Sequence, residues 1–378
     1  MMADNRVLIY DTTLRDGAQA EGVTFSPVSK IHVAQMLDSF GVDYIEGGFA
    51  ASNPKDMAFF RDIKKVKLKH AKIAAFGSTR RAGIAVEEDR GAQALLEADT
   101  EVCTIFGKSW LLHVEDVLKT TAEENLAMIE DTCRFLKSHG KEVIYDAEHF
   151  FDGYKDAPEY ALKTLAAAKT GGADVLVLCD TNGGCLSHEV YEITSVVKKT
   201  FEMAVGAHTH NDSETGVANA MEAVRAGAVH VQGTINGFGE RCGNCNLVSV
   251  VANLIRKTDK TCLVDPEQLK NLKAVSQFVN EQANLRDNQR AAYVGDSAFA
   301  HKAGMHVDGV RKVAVSFEHV PPDSVGNSRR ILISELSGAS NVMEKLLEMG
   351  LQNIDRKSPE IREILSKMEQ MEQEGYVY

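Results

Sequence analysis

Short β-branched apolar runs alternate with amphipathic stretches of helical period over the first two thirds of the chain, the pattern of parallel strands joined by crossover helices. The runs are 7–11, 43–47, 72–76, 102–106, 142–146, 174–179, 205–210 and 229–234, and their starts lie about 24 to 40 residues apart, against roughly 30 for one βα unit. Eight such units predict a (β/α)8 TIM barrel that closes near residue 257. Ser26-Pro27 reads as an N-cap with proline at the first helical position, and Thr121-x-x-Glu124 as a capping box. A doubly wound sheet needs a glycine-rich turn after an early strand, and residues 11–22 do not spell one.

Past residue 262 the alternation stops. The division expected is a barrel over 1–262 and a mainly helical region over 263–378, loop-rich at 285–330 and helical at 335–378. Asp265-Pro266 opens an amphipathic helix with Leu269, Leu272, Val275, Phe278 and Val279 on one face. A last helix from Pro359 aligns Ile361, Ile364, Leu365, Met368 and Met371.

Composition narrows the function. With 42 Lys+Arg against 54 Asp+Glu, the net charge of −12 disfavours nucleic acid and anionic membrane as partners. No run approaches the roughly 20 apolar residues of a membrane span, and the N-terminus enters a strand at once, without room for a signal peptide. A cytoplasmic protein is expected. Seven cysteines, with Cys103 and Cys179 inside apolar runs, indicate no disulfide framework.

In a βα barrel the active site forms at the carboxyl ends of the strands. The strand interiors read as apolar, but the ends carry Thr12 to Asp16, Glu148-His149, Asp180 to Asn182, His208 to Asp212 and Asn236 onward. His208 and His210 stand two apart on a strand and so share a face. With Asp16 from the first strand they make an N,N,O set for Mg²⁺, Mn²⁺ or Zn²⁺, with positions open for substrate; composition does not choose among the three. The bland alternative is a pair of rim histidines hydrogen-bonded to carbonyls. Arg15 offers a fixed cation where oxygen charge develops, and Glu148 a general base, although Asp146, His149 and Asp152 compete for that role. The run 233–244 is rich in glycine where barrels often hold anions, and its Cys242-x-x-Cys245 reads as incidental thiols. Neither a phosphate-loop motif nor H-E-x-x-H occurs.

The motifs at 11–17 (DTTLRDG), 208–212 (HTHND) and 239–244 (GERCGN), in that order, resemble the signatures of the 2-isopropylmalate, homocitrate and citramalate synthase family, and 299–309 is similar to its linker motif. Within that family, 41–48, 52–56 and 76–81 are most similar to the citramalate branch. The resemblance implies condensation of acetyl-CoA with pyruvate, followed by thioester hydrolysis, in isoleucine biosynthesis. It also implies Asp16, His208, His210 and Asn244 as metal ligands, Arg15 and Thr181 as holders of the 2-oxo acid, and Glu148 as catalytic carboxylate. His306 would reach a neighbouring subunit's barrel mouth and Asp308 would contact coenzyme A, so a homodimer is expected. The allosteric C-terminal domain common in the family is expected to be absent.

Isopropylmalate and homocitrate synthesis remain alternatives, since pocket volume depends on side chains near Phe76, Ile105 and Tyr145. A 3-hydroxyacyl-CoA lyase would carry a Gly-Gly-Cys-Pro loop, which 237–244 lacks. A non-enzymatic metal-binding module would not need Arg15 and Glu148 beside the site.

Overall fold

The computed structural model describes residues 5–51, 54–332, 342, 345–346, 349–351, 355 and 357–376. Ser52, Asn53 and much of 335–356 lie outside these. Eight parallel strands close into a barrel: β1 (Leu8–Asp11), β2 (Tyr44–Phe49), β3 (Lys72–Ser78), β4 (Val102–Lys108), β5 (Glu142–Glu148), β6 (Val175–Asp180), β7 (Ala204–Thr209) and β8 (His230–Gly233). Each pairs with its neighbour in sequence, and β8 closes on β1 through the register Leu8↔His230 to Asp11↔Gly233. Strands β2 to β5 run two residues beyond the apolar runs. The ladder continues through paired polar residues such as Lys108↔Glu148, where hydrophobicity gives no signal.

Helix starts follow the local chemistry. Ser26 accepts from the Ser29 amide, with Pro27 opening the helix Pro27–Phe40. Thr121 accepts from the Glu124 amide, but the box is only half formed. The Glu124 carboxylate instead takes Arg80 Nη1 at 2.7 Å, a charge-assisted bond, together with Gly83 N at 2.9 Å.

The inner layer holds Tyr10, Tyr44, Ala74, Val102, Ile144, Val175, Val177 and Cys179. It is not wholly apolar as expected: Glu46, Thr104, Asp146, His230 and Gln232 are buried among the strands. Side-chain alternation settles the parity. Ile105 and Tyr145 are fully buried away from the cavity at the mouth, whereas Phe76 lines it as expected, together with Phe49 and Phe106.

The chain divides into two compact units, Met1–Gln268 with Val275–Arg286, and Leu269–Ala274 with Asp287–Tyr378. Pro266–Asn271 is a 3₁₀ turn, so the α-helix begins later than expected, at Leu272–Gln282. The stretch read as irregular carries the helix Gly304–Lys312 and a two-stranded pairing of Ala300–His301 with Arg330–Ile331. In the helix Pro359–Gln373, Ile361 and Met368 are buried, whereas Met371 is exposed and leaves the expected face.

Gly47 on β2 marks a close approach, since an added Cβ would lie 2.2 Å from Phe59 Cε1, whereas at Gly184 it would meet open space. Gly47→Ala should cost about 1–3 kcal/mol by overpacking. Chemical denaturation should find Gly184→Ala within error of the parent; equal midpoints for both variants would contradict this packing.

Candidate active site

The carboxyl ends of the strands surround one cavity of about 240 Å³, and its walls include Arg15, Asp16, Glu148, Thr181, His208 and His210. Asp16, His208 and His210 are buried, and each offers a ligand atom within 4.8 Å of the others. Asp16 Oδ2 lies 3.2 Å from His208 Nε2 and 3.9 Å from His210 Nε2, and the two Nε2 atoms are 3.3 Å apart.

Asn244 joins this group. Its Nδ2 donates to Asp16 Oδ2 at 2.8 Å and lies 3.2 Å from His208 Nε2, while its Oδ1 is buried without a hydrogen-bond partner. Two imidazole nitrogens and a carboxylate oxygen around one point fit a divalent cation, and a half-turn of the Asn244 amide would bring its orphaned oxygen to the same point. The glycines of the preceding loop serve this placement. Gly243 takes φ +90°, and a Cβ there would sit 1.9 Å from Gly237 O, so only glycine lets the loop fold back to bring Asn244 inward.

Arg15 is fixed from three sides: Nε donates to Glu46 Oε2 at 2.6 Å, Nη1 lies 3.5 Å from Asp16 Oδ2, and the guanidinium stands 3.7 Å over the Phe76 ring. Glu46, fully buried, also accepts from Tyr10 Oη at 2.7 Å and from Thr12 Oγ1. Burial opposes the charge on Arg15, but Glu46 and Asp16 more than offset it and raise its pKa. Burial likewise works against the Asp16 carboxylate, yet Arg15, His208 and His210 hold it well below the usual range.

Glu148 forms an ion pair with Lys108, and its side chain keeps 24% exposure. Its competitors are committed elsewhere: Asp146 accepts from Gln232 Nε2 at 2.8 Å, and His149 Nδ1 faces Asp152 at 3.3 Å. Thr181 Oγ1 accepts from the His149 amide at 2.9 Å, leaving its own proton to donate. Arg241 pairs with Asp212 and donates to the Thr181 carbonyl at 2.7 Å, tying the loops after β6, β7 and β8 together.

Thus seven of the residues singled out from sequence, Arg15, Asp16, Glu148, Thr181, His208, His210 and Asn244, come together on the barrel. His306 and Asp308 lie on the helix Gly304–Lys312 of the second unit, His306 exposed with its ring 4.8 Å from that of Phe317, and Asp308 2.6 Å from Lys312 Nζ. Sequence reading passed over Glu46, Lys108, Gln232 and Arg241. For Glu46 a signal existed, a lone polar residue at an inward position of an apolar strand, and for Gln232 the alternation of His230 and Gln232 on one face of β8.

The HMGL-like family model matches residues 6–279, and the homocitrate synthase post-HMGL domain-like model matches 293–375. Among curated proteins, an (R)-citramalate synthase of Aquifex aeolicus is 55% identical over 98% of this chain and 70% of its own length. One of Geobacter sulfurreducens is 52% identical over the same shares. Among solved structures, an HMG-CoA lyase of Bacillus subtilis aligns with a TM-score of 0.63 at 20% identity, over 74% of this chain and 95% of that one, a likeness of fold.

Proton and cation compete for His208. Burial lowers its pKa, but the hydrogen bond and charge of Asp16 reverse this and raise it. A raised histidine pKa stabilises the metal-free fold below the unfolded value, and this stability is lost as pH rises through the folded one. The rise in melting temperature caused by a saturating divalent cation should therefore be larger at pH 8 than at pH 6. Calorimetric scans showing the same or a larger rise at pH 6 would contradict it.

Proposed function

We propose, from the premise that the chain belongs to the HMGL-like family, that it is an acyltransferase condensing acetyl-CoA with pyruvate to give citramalate and, after thioester hydrolysis, free coenzyme A. The observation that carries this reading of the site is the convergence of Asp16, His208 and His210 beside Arg15 in one cavity. Enzymes of this family are metal-dependent, and acetyl-CoA is their co-substrate.

Asp16, His208 and His210, with Asn244 once its amide turns, would hold a divalent ion, Mg²⁺, Mn²⁺ or Zn²⁺, which when bound would supply Lewis acidity toward the carbonyl of the 2-oxo acid. Arg15, immobilised by Glu46 and Phe76, presents its guanidinium where the keto oxygen gains charge as the new carbon–carbon bond forms. Thr181 donates its free hydroxyl proton to the substrate carboxylate. Glu148 removes a proton from the thioester methyl group, and Lys108 keeps that carboxylate in place. Water then attacks the thioester and the coenzyme A thiolate leaves.

Phe49, Phe76 and Phe106 form the apolar wall, with centroids 5.4 to 6.4 Å apart, and suit the small methyl group of pyruvate. In a homodimer His306 completes a neighbouring subunit's site and Asp308 contacts coenzyme A. All seven cysteines are free thiols, which supports a reducing, cytoplasmic setting. Among the described residues no helix is long and apolar enough to cross a membrane.

Thiol release from acetyl-CoA should show its largest kcat/KM with pyruvate, ahead of 2-oxoisovalerate and 2-oxoglutarate, and should be lost on chelation. A larger value for either bulkier acid would overturn the substrate, and activity that survives chelation would overturn the metal. Glu148→Gln should lower kcat by about 10²–10⁴ with the KM for pyruvate little changed. Loss confined to KM would remove Glu148 as the base.

A further inference from the structure

His208 can offer Nε2 to a cation only while its proton sits on Nδ1. On that side, Nδ1 lies 2.7 Å from Gln232 Oε1. An amide presents an acceptor and a donor that differ by a half-turn of the side chain. Turned nitrogen-first, Gln232 would drive the proton onto Nε2 and close the ligand position. The turn is prevented from the far side, where Asp146 Oδ1 accepts from Gln232 Nε2 at 2.8 Å. Gln232 and Asp146 are 0% and 3% exposed, so both bonds are made in a buried setting. The backbone supports the alignment, because His208 and Gln232 are register partners on β7 and β8. His210 has no such control: its Nδ1 is buried without a hydrogen-bond partner.

We propose that Asp146 and Gln232 form a tautomer clamp for His208, making them positioning residues that set metal affinity through a ligand Asp146 does not touch. The inference rests on the metal reading of Asp16, His208 and His210 given above. Hydrogen-bonded partners of a ligating histidine typically govern about 10- to 100-fold in affinity. The clamp has a distinctive genetic signature. A carboxylate at position 232 accepts from Nδ1 whichever way it turns, so it needs no partner to orient it.

The test is calorimetric titration of the metal-free full chain with MnCl₂ at pH 8. Asp146→Ala should weaken binding about tenfold or more, and Gln232→Met, which removes the acceptor while keeping the length, should do the same. In a Gln232→Glu background, Asp146→Ala should cost less than about threefold. An equal loss from Asp146→Ala in both backgrounds, or affinities for Asp146→Ala and Gln232→Met within about threefold of the parent, would overturn the clamp. Should Asp146→Ala fail to fold, Gln232→Met and its rescue by Gln232→Glu carry the test. His210→Ala separates the two readings: binding lost there but retained in Gln232→Met removes the clamp alone, while binding retained in His210→Ala removes the metal site and the clamp with it.

Discussion

Closure of the sheet between β8 and β1 is the constraint on which everything at the barrel mouth depends. The ladder Leu8↔His230 to Asp11↔Gly233, continued by the Thr12 amide to the Gly233 carbonyl at 2.9 Å, brings the first strand within one strand of the seventh. Asp16 follows β1, His208 lies near the end of β7 with His210 just past it, and Asn244 lies on the loop after β8. Residues up to 228 positions apart thereby come within hydrogen-bond reach. The contacts that join Asp16 to the histidines and to Asn244 all run between strands or loops far apart in sequence. The site is therefore a product of tertiary closure, and the apolar inner layer that drives closure is what maintains it.

A second consequence is electrostatic. Closing the barrel buries Asp11, Asp16, Glu46 and Asp146, and each carboxylate is handled differently. Asp16 stays ionised because Arg15 and the imidazoles surround it. Glu46 spends its charge on Arg15, with Tyr10 and Thr12 taking its remaining lone pairs. Asp11 and Asp146 have no cation in hydrogen-bond contact, and burial pushes the pKa of each up to about 7. Four buried carboxyls thus separate into one candidate ligand, one anchor for Arg15 and two whose pKa is raised by burial.

Much of this architecture was legible in the residue pattern. The eight apolar runs correspond to the eight strands, and the period-2 relation of His208 and His210 places both on the inner face. What remained hidden shares one physical cause. Hydrophobic periodicity marks where a strand is buried by apolar side chains and is silent where a polar group is buried beside a partner distant in sequence. Lys108↔Glu148 extends two strands unseen, Glu46 and Gln232 look like interruptions of a core, and the Glu124 carboxylate leaves its own helix for Arg80. The directions of Phe76, Ile105 and Tyr145 were silent for the same reason, since the inward set is defined by the barrel's register and not by side-chain size.

The central claim is that one carboxylate following the first strand and two imidazoles from the seventh share an ion. X-ray absorption at the edge of bound zinc or manganese reads that inner shell directly. The account predicts oxygen donors together with two imidazole rings, recognisable by their outer-shell scattering, and a fall to one ring in His210→Ala. A shell of oxygen donors with no imidazole scattering would contradict it.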